Sequence, residues 1–211
     1  MTRANHLILF ITALTLLTAA SLVSAQPGSL KTEDLCLGGK PGAPVRFEVF
    51  SDYQCPACRA FYLETIRPLL KEYGPDSKVC IIYHDFPLKV HKYAFEASRY
   101  AVAALRLGRD QWLRVCEALY ADQPRWAADG KVEGVVARVL SADEMTKVKT
   151  FLEDPSLDQF INQEIALANK RHVSSTPTFF LYAQGQEQKV VGKISYPVLK
   201  EYLDRLLKST R

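Results

Sequence analysis

No second close pair of cysteines accompanies Cys55 and Cys58, and His84, His91 and His172 are scattered along the chain. A four-ligand zinc site needs two such donor pairs, so no metal is expected. Charge of one sign never gathers either. The 27 Lys and Arg are interspersed with 23 Asp and Glu, for a formal net charge of +4. A nucleic-acid surface would need a basic patch, and none is written in this chain. There is no internal repeat and no low-complexity tract. Long apolar runs are absent too, with one exception at the start.

That exception is Leu7–Val23. The residues before it are polar with a fixed charge at Arg3, and Val23-Ser24-Ala25 offers the small side chains that a signal peptidase needs. The pattern predicts a secretory signal over residues 1–25. The rival reading is an uncleaved anchor, because about 17 apolar residues is the lower edge for spanning a bilayer. Removal leaves 186 residues (211 − 25). That suits one domain, or one domain with a large insertion, and needs no staples to build a core. Export changes the meaning of the five cysteines at 36, 55, 58, 80 and 116. Outside the cytoplasm thiols tend to pair unless they are kept reactive. An odd number leaves at least one sulfur free or exchanging partners.

Alternation and β-rich composition predict a strand over Val45–Phe50. From Pro56 the apolar spacing turns helical and runs to about Gly74, with Pro68 expected to kink it. Val79–Tyr83 is a second strand, apolar enough to be central and parallel. Residues 88–172 then read as helix after helix: about Lys89–Leu107, Asp110–Ala121, Val132–Leu140 after a loop at Pro124 and Gly130, one opened by the capping box Ser141–Glu144, and Pro155 to about Lys170. Thr178–Tyr182 and Gln188–Val191 are paired strands, and Pro197 suits the first turn of a closing helix. The order βαβ, helical block, ββα predicts an α/β thioredoxin fold with an inserted all-helical subdomain. Its expected parts are 26–88 and 173–211 for the thioredoxin domain and 89–172 for the insertion.

Cys55-Pro56-Ala57-Cys58 carries the chemistry. The same spacing serves zinc sites and inert disulfides, so its position decides. Cys55 falls where a helix begins, and free N–H groups and the helix dipole there stabilise an anion. A stabilised thiolate attacks disulfides at neutral pH. Cys58, one turn on, can resolve a mixed disulfide. Thr176-Pro177 opens a later strand. Facing a CxxC in this fold it would be a cis-proline, exposing the backbone of Thr176 to an extended substrate.

Three segments in order, Phe50-Ser51-Asp52-Tyr53-Gln54-Cys55-Pro56-Ala57-Cys58, Asp85-Phe86-Pro87-Leu88 and Ser175-Thr176-Pro177-Thr178-Phe179-Phe180, resemble the matching parts of DsbA-like disulfide oxidoreductases. The likeness runs from about Gly38 to Leu207. It implies catalytic roles for Cys55 as nucleophile, Cys58 as resolving thiol, and Pro177 with Thr176. Substrate contacts are expected at Thr176 and Pro177, and at Tyr53 and Pro56 from their closeness to the cysteines, with no cofactor besides the redox-active cysteine pair. The implied partners are thiols of exported proteins or peptides, and a membrane quinone-linked partner, DsbB-like or VKOR-like. The implied location is the periplasm or the extracytoplasmic face of the cell envelope. No separate dimerisation module is visible, which argues against a dimeric isomerase. A reductase of the same fold and a metal-handling thioredoxin-like module stay open as alternatives.

The chain departs from that pattern twice. Members often carry an acid six positions before the first cysteine; Val49 stands there, and Glu48 should face the other side of the strand. Asp52 or water are the weaker candidates to manage the second thiol's proton. Strong oxidants of the family have His in the dipeptide, where this chain has Ala57, so a less extreme oxidant is expected. In a sheet of this kind the opening edge strand lies beside the strand of Cys80, which makes a structural Cys36–Cys80 bridge reasonable. Cys80–Cys116 is the alternative, and three buried thiols the plain reading. Cys116 reads as buried, and His84 as a satisfied structural histidine. The aromatic residues of the insertion (Tyr93, Phe95, Tyr100, Trp112, Trp126) read as packing. Phe61 and Tyr62 are expected to add apolar surface near the cysteines.

Overall fold

The computed structural model describes residues 36–74 and 77–209; the expected export signal lies outside them. β2 (Val45–Ser51) and β3 (Val79–Asp85) run parallel in register, Val49 beside Tyr83 and Ser51 beside Asp85. β4 (Thr178–Ala183) lies antiparallel on the other side of β2, and β5 (Gln186–Val191) closes that edge. β1 (Cys36–Gly38) pairs antiparallel with β3 at the opposite edge, giving the order β1-β3-β2-β4-β5. The three central strands are the apolar ones, as burial on both faces requires. Gln184 and Gly185 both take positive φ, the geometry of a tight hairpin turn between β4 and β5.

Between β2 and β3 stand α1 (Pro56–Phe61), a π-helical turn (Tyr62–Ile66) and α2 (Arg67–Glu72). The disturbance expected at Pro68 is this wide turn, in which the Arg67 N–H donates to the Tyr62 carbonyl. Such a bulge relieves the backbone crowding that a mid-helix proline imposes. Six helices fill the span between β3 and β4: α3 (Ala94–Leu107), α4 (Arg109–Ala121), α5 (Gln123–Asp129), α6 (Val132–Val136), α7 (Ala142–Leu152) and α8 (Pro155–Lys170). α9 (Tyr196–Ser209) closes the chain.

Two expectations need correction. α3 begins at Ala94 and not at Lys89, because the Leu88 and Tyr93 N–H groups are tied to Asp52 and Gln54 of the β2–α1 loop. The stretch read as a loop around Pro124 is helix α5. Proline is tolerated in a first turn, whose N–H groups have no intrahelical acceptor, and Gly130 ends the helix in the left-handed conformation. The capping box is present in full, with the Ser141 hydroxyl accepting from the Glu144 N–H and the Glu144 carboxylate from the Ser141 N–H.

Side chains alternate along β2 and β3. Val45, Phe47 and Val49 enter the large core shared with the insertion, whereas Phe50 joins a smaller cluster with Phe86, Ala168, Val173 and Phe180. A disulfide joins Cys36 to Cys80, with Cα atoms 5.4 Å apart, across β1 and β3. Cys55, Cys58 and Cys116 are free. Among the described residues no helix is long and apolar enough to cross a membrane.

Candidate active site

Cys55 sits at the N-cap of α1 in an extended conformation, with Pro56 as the first helical residue. The turn that brings it there is built by Asp52, whose carbonyl accepts the Cys55 N–H at 3.1 Å. The Asp52 carboxylate accepts the Gln54 N–H at 2.7 Å, the Leu88 N–H at 2.8 Å and lies 2.7 Å from His91 Nδ1. Both its oxygens are therefore engaged in holding loops. Gln54 in turn accepts the Tyr93 N–H at 2.7 Å and donates to the Ala127 carbonyl at 3.2 Å.

The insertion grips the same turn from the other side. Buried Gln123, the first residue of α5, donates to the carbonyls of Tyr53 at 2.7 Å and Cys55 at 3.0 Å. Arg59 Nε reaches back to the Tyr120 carbonyl at 2.8 Å. Gln54, Arg59 and Gln123 went unmarked in the sequence. Glutamine beside a helix start carries no distinctive spacing, so no signal could have singled out Gln123.

The Thr176–Pro177 peptide is cis, and the Cys55 thiol points at the Thr176 carbonyl, 3.5 Å away. The Thr178 hydroxyl donates to the Ser175 carbonyl at 2.7 Å, and the Gly192 N–H to the Pro177 carbonyl at 2.8 Å, which fixes this loop over the sulfur. Thr176 Oγ1 is buried with no hydrogen-bond partner among the described residues. Cys55 is 7% exposed and Cys58 1%, while Pro56 and Ala57 are exposed.

The two thiols are driven apart electrostatically. A hydrogen bond from the Cys58 thiol is the largest influence on Cys55; with Thr176 and the N–H groups of Cys58 and Ala57, it outweighs burial and lowers the pKa to about 5. Burial pushes Cys58 well above the ordinary thiol value, and the neighbouring Cys55 sulfur pushes it further. The site thus presents one anion at neutral pH beside one neutral thiol.

Other marked residues fall elsewhere. Tyr53, expected to touch substrate, is fully buried; its hydroxyl lies 3.1 Å from Cys116 Sγ, and its ring packs on Tyr83 and Tyr120. Phe61 and Tyr62 are likewise buried and add no surface. Glu48 faces away from the cysteines, bonded to Arg171 and 2.6 Å from Arg46. His84 shares that far face, buried, 2.5 Å from Glu164 and stacked on Phe50. The aromatic residues of the insertion are buried or half-buried in its core. The described residues hold no group of three or more His, Cys, Asp or Glu placed to bind a metal ion.

The family model described as thioredoxin matches residues 31–205. A probable disulfide bond formation protein D of Bacillus cereus is 22% identical over 174 residues, spanning 81% of this chain and 77% of that protein. Its Bacillus anthracis counterpart is 23% identical over the same spans. Among solved structures, oxidised BdbD of Bacillus subtilis superposes with a TM-score of 0.67 at 20% identity, covering 86% of this chain and 97% of that one. The thiol-disulfide exchange protein alpha-DsbA2 of Wolbachia pipientis gives 0.66 at 21% identity, over 80% and 85%. Sheet order, helical insertion and these matches agree: the chain belongs to the thioredoxin family, with the fold of its DsbA-like members.

Proposed function

We propose that this protein is a thiol:disulfide oxidoreductase that introduces disulfides into exported proteins through Cys55 and Cys58. A substrate thiolate attacks Cys55 of the oxidised pair, forming a mixed disulfide and passing the electron pair of the broken S–S bond to Cys58. A second substrate thiolate then attacks the substrate sulfur of that mixed disulfide and expels Cys55. The substrate leaves oxidised, both enzyme cysteines are left reduced, and no cofactor other than the pair itself takes part. Thr176 and Pro177 receive the extended substrate backbone, and exposed Pro56 lies beside it. Reoxidation falls to a membrane quinone-linked partner, DsbB-like or VKOR-like, at the extracytoplasmic face of the envelope. Residues 1–25 are the export signal, 26–88 and 173–211 the thioredoxin domain, and 89–172 the insertion.

The observation that carries this reading is the acidic Cys55 thiol, about 5, at the start of α1 and against the Thr176 carbonyl. It also favours the oxidising direction. Stabilising one thiolate stabilises the reduced enzyme, which moves the couple in the oxidising direction. The names of the Bacillus relatives point the same way. Ala57 in place of histidine favours the second reading, a reductase of the same fold.

Two measurements test the proposal. Alkylation of the reduced protein across pH should show a midpoint near 5. Mixing the oxidised protein with a synthetic peptide bearing two thiols should give one peptide disulfide per enzyme. A midpoint near the ordinary thiol value together with an unoxidised peptide would refute it.

A further inference from the structure

The Thr176–Pro177 loop hangs between two supports. On the β4 side the Thr178 hydroxyl and the Gly192 N–H hold the Ser175 and Pro177 carbonyls, at 2.7 and 2.8 Å. On the other side the chain leaves α8 and must turn up to the site. It turns at His172, whose φ of 54° is a left-handed value that glycine adopts freely and other residues disfavour. Val173 then enters the small core with Phe50, Phe86, Ala168 and Phe180, and Ser174 is exposed. A backbone turn of that kind keeps its shape only where its surroundings hold it.

The holding groups come from the face of the sheet turned away from Cys55 and Cys58. Glu48, Phe180 and Lys189 stand side by side across β2, β4 and β5, and Arg46, Tyr182 and Glu187 form the next row on that face. Arg171, the residue before the turn, reaches across both rows. Its guanidinium lies over the Phe180 ring, 3.5 Å from the centre, and donates to Glu48, to the Tyr182 hydroxyl and, at 3.1 Å, to Glu187. Its side chain is only 15% exposed. Lys189 Nζ donates to the His172 carbonyl itself at 2.6 Å. A planar guanidinium can serve several acceptors and cover a ring at once, which a lysine ammonium cannot. One side chain thus ties the start of the turn to three strands.

We propose that Arg171 is a positioning residue for peptide substrates, fixing the turn at His172 and so the place where Thr176 and Pro177 meet the substrate backbone. The role rests on the exchange reaction proposed above and gives it a preference. A thiol carried on an extended chain can pair its backbone with Thr176 and is held in line with Cys55. A small thiol without a backbone gains nothing from the loop. Arg171 takes no part in the sulfur chemistry itself, so its removal should penalise the first kind of substrate and spare the second.

Two reductants separate this role from a general loosening of the fold: dithiothreitol, which has no backbone, and the synthetic peptide bearing two thiols. Each is mixed with the oxidised protein in a stopped-flow instrument. Arg171→Ala should slow the peptide reaction roughly tenfold, the effect of losing one or two backbone hydrogen bonds to the substrate. With dithiothreitol it should stay within about twofold of wild type. Lys189→Ala removes an exposed side chain that donates to the Arg171 and His172 carbonyls, and should slow the peptide about threefold. Arg46→Ala takes the other cation from Glu48, 2.6 Å away, without loosening the turn, and should change neither rate. Arg171→Ala oxidising the peptide as fast as wild type overturns the inference. So does equal slowing with both reductants, or an Arg46→Ala protein slowed as much as Arg171→Ala. If Arg171→Ala does not fold, Lys189→Ala decides, and a wild-type peptide rate there overturns the inference. A wild-type disulfide that reacts with neither reductant would overturn the exchange reaction itself, a distinct result.

Discussion

The two faces of β2 and β3 each bury a polar group set, and they solve the problem of burial in opposite ways. On the face of the cysteines, Ser51, Tyr83, Tyr120 and Cys58 offer hydroxyls and a thiol without fixed charge. Even Asp85 on that face has its pKa raised well above the ordinary carboxylate value, by burial and by the Glu164 charge. On the other face the acids Glu48 and Glu164 are matched with the bases His84 and Arg171. Burial opposes the charge on His84, but its hydrogen bond to Glu164 and the Glu48 carboxylate 3.8 Å from Nε2 prevail and raise its pKa to about 9. Arg171 also covers the Phe180 ring at 3.5 Å and bonds the Tyr182 hydroxyl. The charged set binds α8 and the residues leading into the Thr176–Pro177 loop to the sheet. The neutral set leaves the potential near Cys58 to be decided by the reacting sulfurs. Period-two alternation is what keeps the two apart in strands only seven residues long.

The largest test of this division is to remove one member from each face. Cys55→Ser should abolish thiol exchange, by roughly a thousandfold or more, with the fold intact by circular dichroism. His84→Ala should do the reverse. Leaving buried Glu164 without its partner should cost about 3 kcal/mol in denaturant unfolding, while exchange with glutathione changes little. A His84→Ala variant that lost exchange activity as well as stability would break the comparison.

Acidity sharpens it, because the two faces lose stability at opposite ends of the pH scale. The folded pKa of His84 is raised from 6.5 to about 9. Its contribution is complete below about 6.5 and fades as pH rises through 9. The folded pKa of Cys55 is lowered from 9.0 to about 5. Its contribution to the reduced protein is complete above about 9 and fades as pH falls through 5. Melting curves of reduced protein should therefore show the wild-type advantage over His84→Ala shrinking toward alkali, and that over Cys55→Ser shrinking toward acid. A smaller effect is expected from Gln123→Ala, about 1–2 kcal/mol, because two carbonyls of the Cys55 turn lose a buried donor. Its exchange rate should fall with its stability.

Much of this was legible along the chain, and what was missed has a common cause. The β2–α1 junction, the Ser141 cap and the strand after Pro177 are written in local patterns, period two giving way to helical spacing or a capping residue at its fixed offset. Lys89–Tyr93 reads as helix along the chain, but the Leu88 and Tyr93 N–H groups that flank it answer to Asp52 and Gln54, over thirty positions away. Tyr53 reads as a surface aromatic beside a reactive cysteine until α4 covers it with Tyr120 and Cys116. The Ser51 hydroxyl finds its partner in Tyr120, which lies 69 positions on. Contacts between the insertion and the sheet carry no sequence period, so they emerge only in three dimensions.

Ala57→His should give the smallest shift, and the most direct one on the thiol side. Position 57 is exposed in the first turn of α1, and the Ala57 N–H already helps hold the Cys55 anion. A histidinium there adds a positive charge, but water screens it and most of the stabilisation is already supplied by Cys58, Thr176 and the helix start. A further lowering of roughly half a pKa unit is expected, about 0.7 kcal/mol, which for a two-electron couple is roughly 15 mV toward a more oxidising protein. Equilibration with glutathione resolves a change of that size when wild type and variant are run together. A shift several times larger would mean that the anion is far less satisfied by its present neighbours than their geometry implies. No shift at all would mean that charge at the start of α1 does not set the balance between the two sulfurs, and the neutral face would then owe its reactivity to the sulfur–sulfur hydrogen bond alone.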